Sequence, residues 1–77
     1  MTQFYFNVRE DNSFEEDTDG VDLPDVGSAH REAIRAAREM MIEEIALGRP
    51  VTDQMFEVCD ECGGLLFTLA FKDLLHS

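Results

Sequence analysis

The sequence is poor in positive charge. Its 77 residues include 6 Lys and Arg against 17 Asp and Glu, so the formal net charge at pH 7 is −11. Proteins that bind nucleic acid use Lys and Arg to neutralise phosphates, and docking on an anionic membrane surface needs the same residues. We therefore expect neither a nucleic-acid partner nor a membrane partner. The excess of acid is typical of a solubilising surface, and it would also suit a basic protein partner or mimicry of nucleic acid.

Long apolar runs are also missing. No stretch approaches the roughly 20 apolar residues that a membrane-spanning helix needs. The N-terminus, MTQFYFNVREDN, has no basic region followed by an apolar segment, which a signal peptide would show. These features predict a cytoplasmic protein with reduced thiols. The length predicts one small domain over residues 1–77, and no linker divides it.

Potential metal ligands are few. Cys59 and Cys62 form a C-x-x-C motif, which is half of a structural zinc site because such a site needs four ligands. There is no second C-x-x-C, and the two histidines are His30 and His76. Within one chain, both histidines would have to converge on the cysteines. Two chains contributing two thiolates each would also complete the site, so zinc remains an alternative to be tested.

The residues around the C-x-x-C disfavour redox chemistry and explain the motif as a turn. Glu57, Asp60 and Glu61 surround the thiols with negative charge, which disfavours the thiolate and predicts poor nucleophiles. The segment from Asp60 to Gly63 matches a type I turn followed by a glycine in the left-handed conformation, a common three-residue hairpin loop. The turn accounts for Asp60 and Gly63 without a metal.

The first third of the chain predicts a strand and a loop. Residues 3–9 alternate between apolar and polar side chains, which is typical of a half-buried strand. Residues 10–20 are acidic and rich in turn formers, so we expect a loop there. The sequence does not decide whether a short second strand forms around Val21–Leu23.

One long helix is predicted over about residues 26–47. Alanine and methionine recur there at a spacing of three or four residues, while arginine and glutamate fill the opposite side. Asp25 is the expected N-cap, with Ser28 as an alternative. The helix is expected to end at Leu47-Gly48-Arg49-Pro50, because glycine and proline there stop a helix.

A hairpin is predicted over about residues 54–71, with Leu65, Phe67, Leu69 and Phe71 on one face of its second strand. The element order is therefore β-(β)-α-β-β. We expect an α+β fold of two layers, in which a small antiparallel sheet of three to four strands is covered on one face by the helix.

The sheet face turned away from the helix is expected to be partly apolar. It would carry Tyr5, Met55 and Leu66 together with Cys59. This is more apolar than a fully hydrated face needs to be, so it predicts a homodimer or another protein lying across the sheet or along an edge strand.

Several sequence patterns resemble a family of short uncharacterised proteins from rhizobia and related alphaproteobacteria. They are FYFNVR near the N-terminus, D-x-x-G at Asp17–Gly20, L-P-D before an alanine-rich helix, and F-E-V-x-D-E-x-G-G at 56–64. The resemblance extends from Phe4 to Phe71. The family has no assigned activity, so it implies no catalytic residues. Its hairpin usually reads D-E-D-G, which implies that the two cysteines are not shared.

We therefore expect a non-enzymatic protein that acts through contact, as a homodimer or as an accessory subunit, without a cofactor. No Ser or Thr sits in a recognisable catalytic motif, and there is no glycine-rich phosphate loop. Two alternatives stay open. One is an antitoxin-like acidic regulator of a basic protein, and the other is a zinc- or redox-responsive module that uses Cys59 and Cys62.

Overall fold

The computed structural model describes residues 1–49 and 53–76. Pro50, part of the predicted helix stop, lies outside these residues, as does the side chain of His76. The elements, in chain order, are β1 Thr2–Glu10, β2 Ser13–Glu15, β3 Val21–Leu23, α1 Val26–Ala46, β4 Met55–Asp60, β5 Leu65–Ala70 and a terminal 3-10 helix Phe71–His76. No helix in the described part of the chain has the length and apolar content to cross a membrane.

The strands form one antiparallel sheet in the order β2-β1-β4-β5. β1 pairs with β4 along one side, while β2 and β3 share its other side, one at each end. The predicted α+β class is confirmed, with the helix packed against a small open sheet. The described sheet has five strands rather than three to four, because residues 13–15 of the expected acidic loop pair with the end of β1. β2 follows the end of β1 after a two-residue turn at Asp11 and Asn12, and pairing in this hairpin overrides the loop-like composition of the segment.

The core lies between α1 and the sheet. Ala29, Ala33 and Ala37 are fully buried on the helix. Because alanine side chains are small, the helix can lie close to the large rings beneath it, which include Phe4 and Phe71. Phe71 is fully buried although it opens the terminal 3-10 helix, so the start of this last segment belongs to the core.

Both ends of α1 are capped by the predicted residues. The Asp25 carboxylate accepts a 2.7 Å hydrogen bond from the Ser28 N–H. At the other end, Gly48 takes φ +74°, and the N–H groups of Gly48 and Arg49 donate to the carbonyls of Ile45 and Glu44. This pair of bonds is the Schellman motif, which satisfies carbonyls that the helix itself leaves without donors.

The prediction that Leu65 lies on the same face of the strand as Phe67 was wrong. The pairing of β4 with β5 shifts by one residue between Val58 and Cys59, so Val58 lies opposite Phe67 but Cys59 lies opposite Leu65. Leu65 is consequently 58% exposed, whereas Phe67 packs against the core. A register shift of this kind breaks the simple alternation of faces along a strand.

The cap at Asp25 predicts a pH-dependent contribution to stability. Hydrogen bonds from Ser28, first from its backbone N–H, hold the pKa of the Asp25 carboxyl below its ordinary value. The stabilisation is therefore complete above the pKa of the unfolded chain and is lost as pH falls through the folded value. We expect Asp25→Ala to lower the melting temperature at pH 7, and the difference from the wild type to shrink in acid.

Asp25→Asn is the matched control, because asparagine also caps helices but does not titrate. Its melting temperature should lie close to that of the wild type at pH 7. Thermal unfolding followed by circular dichroism at several pH values measures both variants. An Asp25→Ala deficit of the same size at pH 7 and in acid would contradict the assignment.

Candidate functional site

The sheet face that α1 does not cover is built from the alternate residues of β1 and β4. Across these two strands, Tyr5 lies opposite Cys59 and Arg9 lies opposite Met55. We call this surface the open face. It is the side of the sheet on which sequence analysis placed the contact residues.

A hollow of about 590 Å³ lies on the open face. Its floor is formed by β1 and β4, one wall by the loop after β2, and the other wall by the turn between β4 and β5. It is open to solvent. Its lining residues are Tyr5, Asn7, Phe14, Glu16, Asp17, Thr18, Glu57, Cys59, Asp60, Glu61 and Gly63.

Asn7 joins the floor to the wall. Its amide N–H donates to the Cys59 sulfur over 3.6 Å, and its Oδ1 accepts a 2.9 Å hydrogen bond from the Asp17 N–H. The side chain is buried. Sequence analysis did not select Asn7; its only signal is that a residue unfavourable in strands stands among the aromatic and β-branched residues of β1.

The Asp17 side chain supplies the hydrogen-bond acceptor that a neighbouring strand would otherwise provide at the edge of β1. Its Oδ2 accepts a 3.0 Å hydrogen bond from the Phe6 N–H, in the gap between the segments of β1 that pair with β2 and β3. Its Oδ1 accepts from the N–H groups of Asp19 and Gly20. One carboxylate therefore satisfies three backbone donors and shapes the loop that walls the hollow.

Gly20 closes this loop in a conformation that excludes a side chain. Its φ is +74°, and a Cβ atom there would lie 2.5 Å from the Gln3 Oε1 and 2.9 Å from a ring carbon of Tyr5. Gly20 is therefore required both by its backbone conformation and by the close approach of Tyr5.

The second wall has the predicted hairpin geometry. The Gly63 N–H donates to the Asp60 carbonyl over 3.1 Å, and Gly63 has φ +84°. The Asp60 carboxylate also accepts hydrogen bonds from the N–H groups of Cys62 and Gly64. The turn interpretation of Asp60 and Gly63 is confirmed.

The structure does not bring His30 to the cysteines. Cys59 is half-buried in the floor of the hollow and Cys62 is exposed on the turn, both as free thiols. His30 lies on α1, where its ring is 5.4 Å from that of Phe67, on the helix side of the sheet. Among the described residues, no group of three or more His, Cys, Asp or Glu is arranged to hold a metal.

The three predicted contact residues are spread over the sheet. Tyr5 lines the hollow. Met55 is four residues from Cys59 along β4, a distance of about 13 Å, and it does not line the hollow. Leu66 is 39% exposed on β5, where the register shift leaves it without a partner on β4. Only Tyr5 therefore belongs to the hollow.

The hollow is acidic because its lining includes five Asp and Glu residues and neither Lys nor Arg. Arg9 forms an ion pair with Glu57 and lies 4.6 Å from the centre of the Phe14 ring. The hydrogen bond to Glu57 raises the pKa of Arg9 above its ordinary value. The exposed Glu16 and Glu61 stand on opposite walls, so an incoming cation meets carboxylates on both sides.

Gly20 and Gly48 form a matched pair for testing the loop. Both have φ +74°, but no atom lies within 4 Å of a Cβ built at Gly48. Replacement by alanine at either position costs about 1–2 kcal/mol in backbone strain. We expect Gly20→Ala to lower the free energy of unfolding by about 1–3 kcal/mol more than Gly48→Ala, because of the clash with Tyr5.

Urea unfolding of the two variants measures this difference. Since the strain is common to both, it cancels in the comparison and leaves the steric contribution. Equal losses of stability in Gly20→Ala and Gly48→Ala would contradict the close packing of the loop on Tyr5.

Comparison with known proteins identifies the family of this chain. None of the curated proteins or solved structures matches it significantly. A family model described as a domain of unknown function (DUF6894) matches residues 3–72, which include both walls of the hollow and all of α1. The chain therefore belongs to the DUF6894 family, a domain of unknown function.

Proposed function

We propose that this domain acts by contact with another protein, without catalysis of its own, and that the contact surface is the hollow on the open face. The observation that carries the proposal is the hollow itself. It is a concave, uncovered surface whose aromatic residues, Tyr5 and Phe14, lie between walls bearing carboxylates. Aromatic side chains surrounded by polar groups are typical of protein contact surfaces.

The roles of the wall carboxylates support a binding function. Asp17 and Asp60 each accept hydrogen bonds from several backbone N–H groups. Glu57 is paired with Arg9. Asp17 and Asp60 thus hold the walls in place and Glu57 links the two strands of the floor, which are structural tasks. A rigid surface of this kind favours binding because little conformational entropy is lost when a partner docks.

The charge of the hollow favours a basic partner. Glu16 and Glu61 are exposed on its walls, and the whole chain carries a net charge of −11. A second copy docked on the same surface would bring like charges together, which is unfavourable. We propose a basic segment of another protein as the occupant, as in an acidic regulator that covers a basic toxin or enzyme. We place this contact in the cytoplasm and propose no nucleic-acid or membrane partner.

Two exposed apolar residues allow a matched test of this surface. Phe14 is 46% exposed beside the hollow, and Ile42 is 68% exposed on the outer side of α1. Tagged wild type, Phe14→Ser and Ile42→Ser would be used to capture proteins from an extract of a rhizobial or related alphaproteobacterial cell, the source to which the sequence resemblance points. We expect a basic protein that binds wild type and Ile42→Ser but is lost from Phe14→Ser.

The contribution of the wall carboxylates to binding is tested with the same captured protein. Glu61→Gln removes a wall carboxylate, and Glu43→Gln removes an exposed carboxylate from α1. We expect Glu61→Gln to weaken binding by about twofold to fivefold, as for one solvent-exposed charge, and Glu43→Gln to leave it unchanged. A partner that survives Phe14→Ser and is lost from Ile42→Ser would assign the contact to the helix and contradict the proposal.

The alternative of a zinc-responsive module is tested by measuring the zinc content of the protein. We propose that the hollow holds no cofactor, because Cys59 and Cys62 supply two of the four ligands that a structural zinc needs and His30 lies on the other side of the sheet. Purified protein should therefore contain no stoichiometric zinc after incubation with excess zinc and desalting. Zinc content by atomic spectroscopy that is stoichiometric in wild type and absent in Cys62→Ser would instead favour the zinc-responsive module.

A further inference from the structure

The two edges of the sheet differ sharply. The edge beyond β1 is formed by β2 and β3, two strands of three residues each. The loop between them interrupts the edge, and Asp17 satisfies the β1 donor left in the gap. This segment also carries Glu15, Asp19 and Asp22. Short strands, interruptions and charges are the features by which proteins prevent unwanted strand pairing.

The edge formed by β5 has none of these features. Within the described residues no strand pairs with its outer side. Residues 62–71, CGGLLFTLAF, contain no Asp, Glu, Lys, Arg or Pro. In a chain of net charge −11, this is an uncharged, six-residue edge strand of apolar residues and threonine. Such an edge is a template for pairing with another strand.

The outward donors of β5 follow from its pairing with β4. The Phe71 N–H donates to the Gln54 carbonyl over 3.0 Å. Hydrogen-bonding directions alternate along an antiparallel strand, so Phe67 and Leu69 also point their N–H and C=O groups toward β4. The N–H and C=O groups of Thr68 and Ala70 therefore point away from the sheet, toward the free edge.

We propose that two copies of this chain pair through β5 in antiparallel orientation, with Thr68 opposite Thr68 of the second copy. This register places Leu66 opposite Ala70 of the second copy. It also places Phe67 opposite Leu69 of the second copy, so apolar residues meet apolar residues. Threonine pairs directly across strands are favourable. The two sheets become one continuous sheet with a twofold axis at Thr68.

A second copy fits this edge better than it fits any charged surface of the molecule. An antiparallel strand pair is self-complementary, because each outward N–H meets an outward C=O of the identical strand. The absence of charge in residues 62–71 removes the repulsion that two acidic copies meet elsewhere. β5 contributes no residue to the hollow, so the dimer leaves both hollows open on the same side of the joined sheet.

Thr68→Lys and Thr2→Lys form a matched pair for the test. Both positions are exposed and both changes add one positive charge, but Thr2 lies at the start of β1, away from β5 and outside the hollow. Sedimentation equilibrium of the full chain should give a species of twice 8.7 kDa for wild type and Thr2→Lys. Thr68→Lys should raise the dimer dissociation constant by about tenfold or more, because two lysines would face each other across the twofold axis.

Hydrogen exchange of the wild type provides a second test that needs no variant. The Thr68 and Ala70 amides should exchange about tenfold or more slowly at the protein concentration where the dimer forms than in the monomer. Three results would overturn the proposal: a wild-type monomer at about 1 mM, equal dissociation constants for the two lysine variants, or a dimer in which these amides exchange as in the monomer. The last would indicate pairing through another surface. None of these results bears on the hollow, whose partner is tested separately.

Discussion

The Asp17 carboxylate is the interaction on which the shape of one side of the molecule depends. It accepts hydrogen bonds from Phe6, Asp19 and Gly20, so a single side chain completes the edge of β1 where no strand continues. The backbone N–H of Asp17 also donates a hydrogen bond to the side chain of Asn7, which in turn donates one to the Cys59 sulfur. Asp17 therefore positions one wall of the hollow, the closed edge of the sheet and part of the floor.

The residues by which the sequence resembles its family have structural explanations in this fold. Asp17 and Gly20 close the loop against Tyr5. Asp25 caps the helix, and the Asp60 carboxylate organises the turn of the hairpin. Each of these aspartates accepts backbone N–H groups, and none needs a substrate to account for its presence. The patterns of this chain that resemble the family thus describe how the domain folds.

Charge divides the surface into two regions for which we propose different partners. The hollow on the open face is lined by carboxylates, one of which, that of Glu57, is paired with Arg9. The free edge at β5 is uncharged. An acidic surface attracts a basic protein and repels its own copy, whereas an uncharged edge strand accepts its own copy through backbone hydrogen bonds. Pairing at β5 would bring two hollows onto one sheet, so a dimer would offer a basic partner two equivalent sites.

The sequence by itself determined the features that depend on local hydrogen bonds. The caps of α1 at Asp25 and Gly48 and the turn at Asp60 were predictable because each involves residues within a few positions along the chain. The α+β class followed from the same elements. Tertiary structure alone decided that Asn7 is buried and that Leu65 turns outward at a register shift. These outcomes depend on which distant strands meet, and a distant partner leaves no mark in the local pattern of residues.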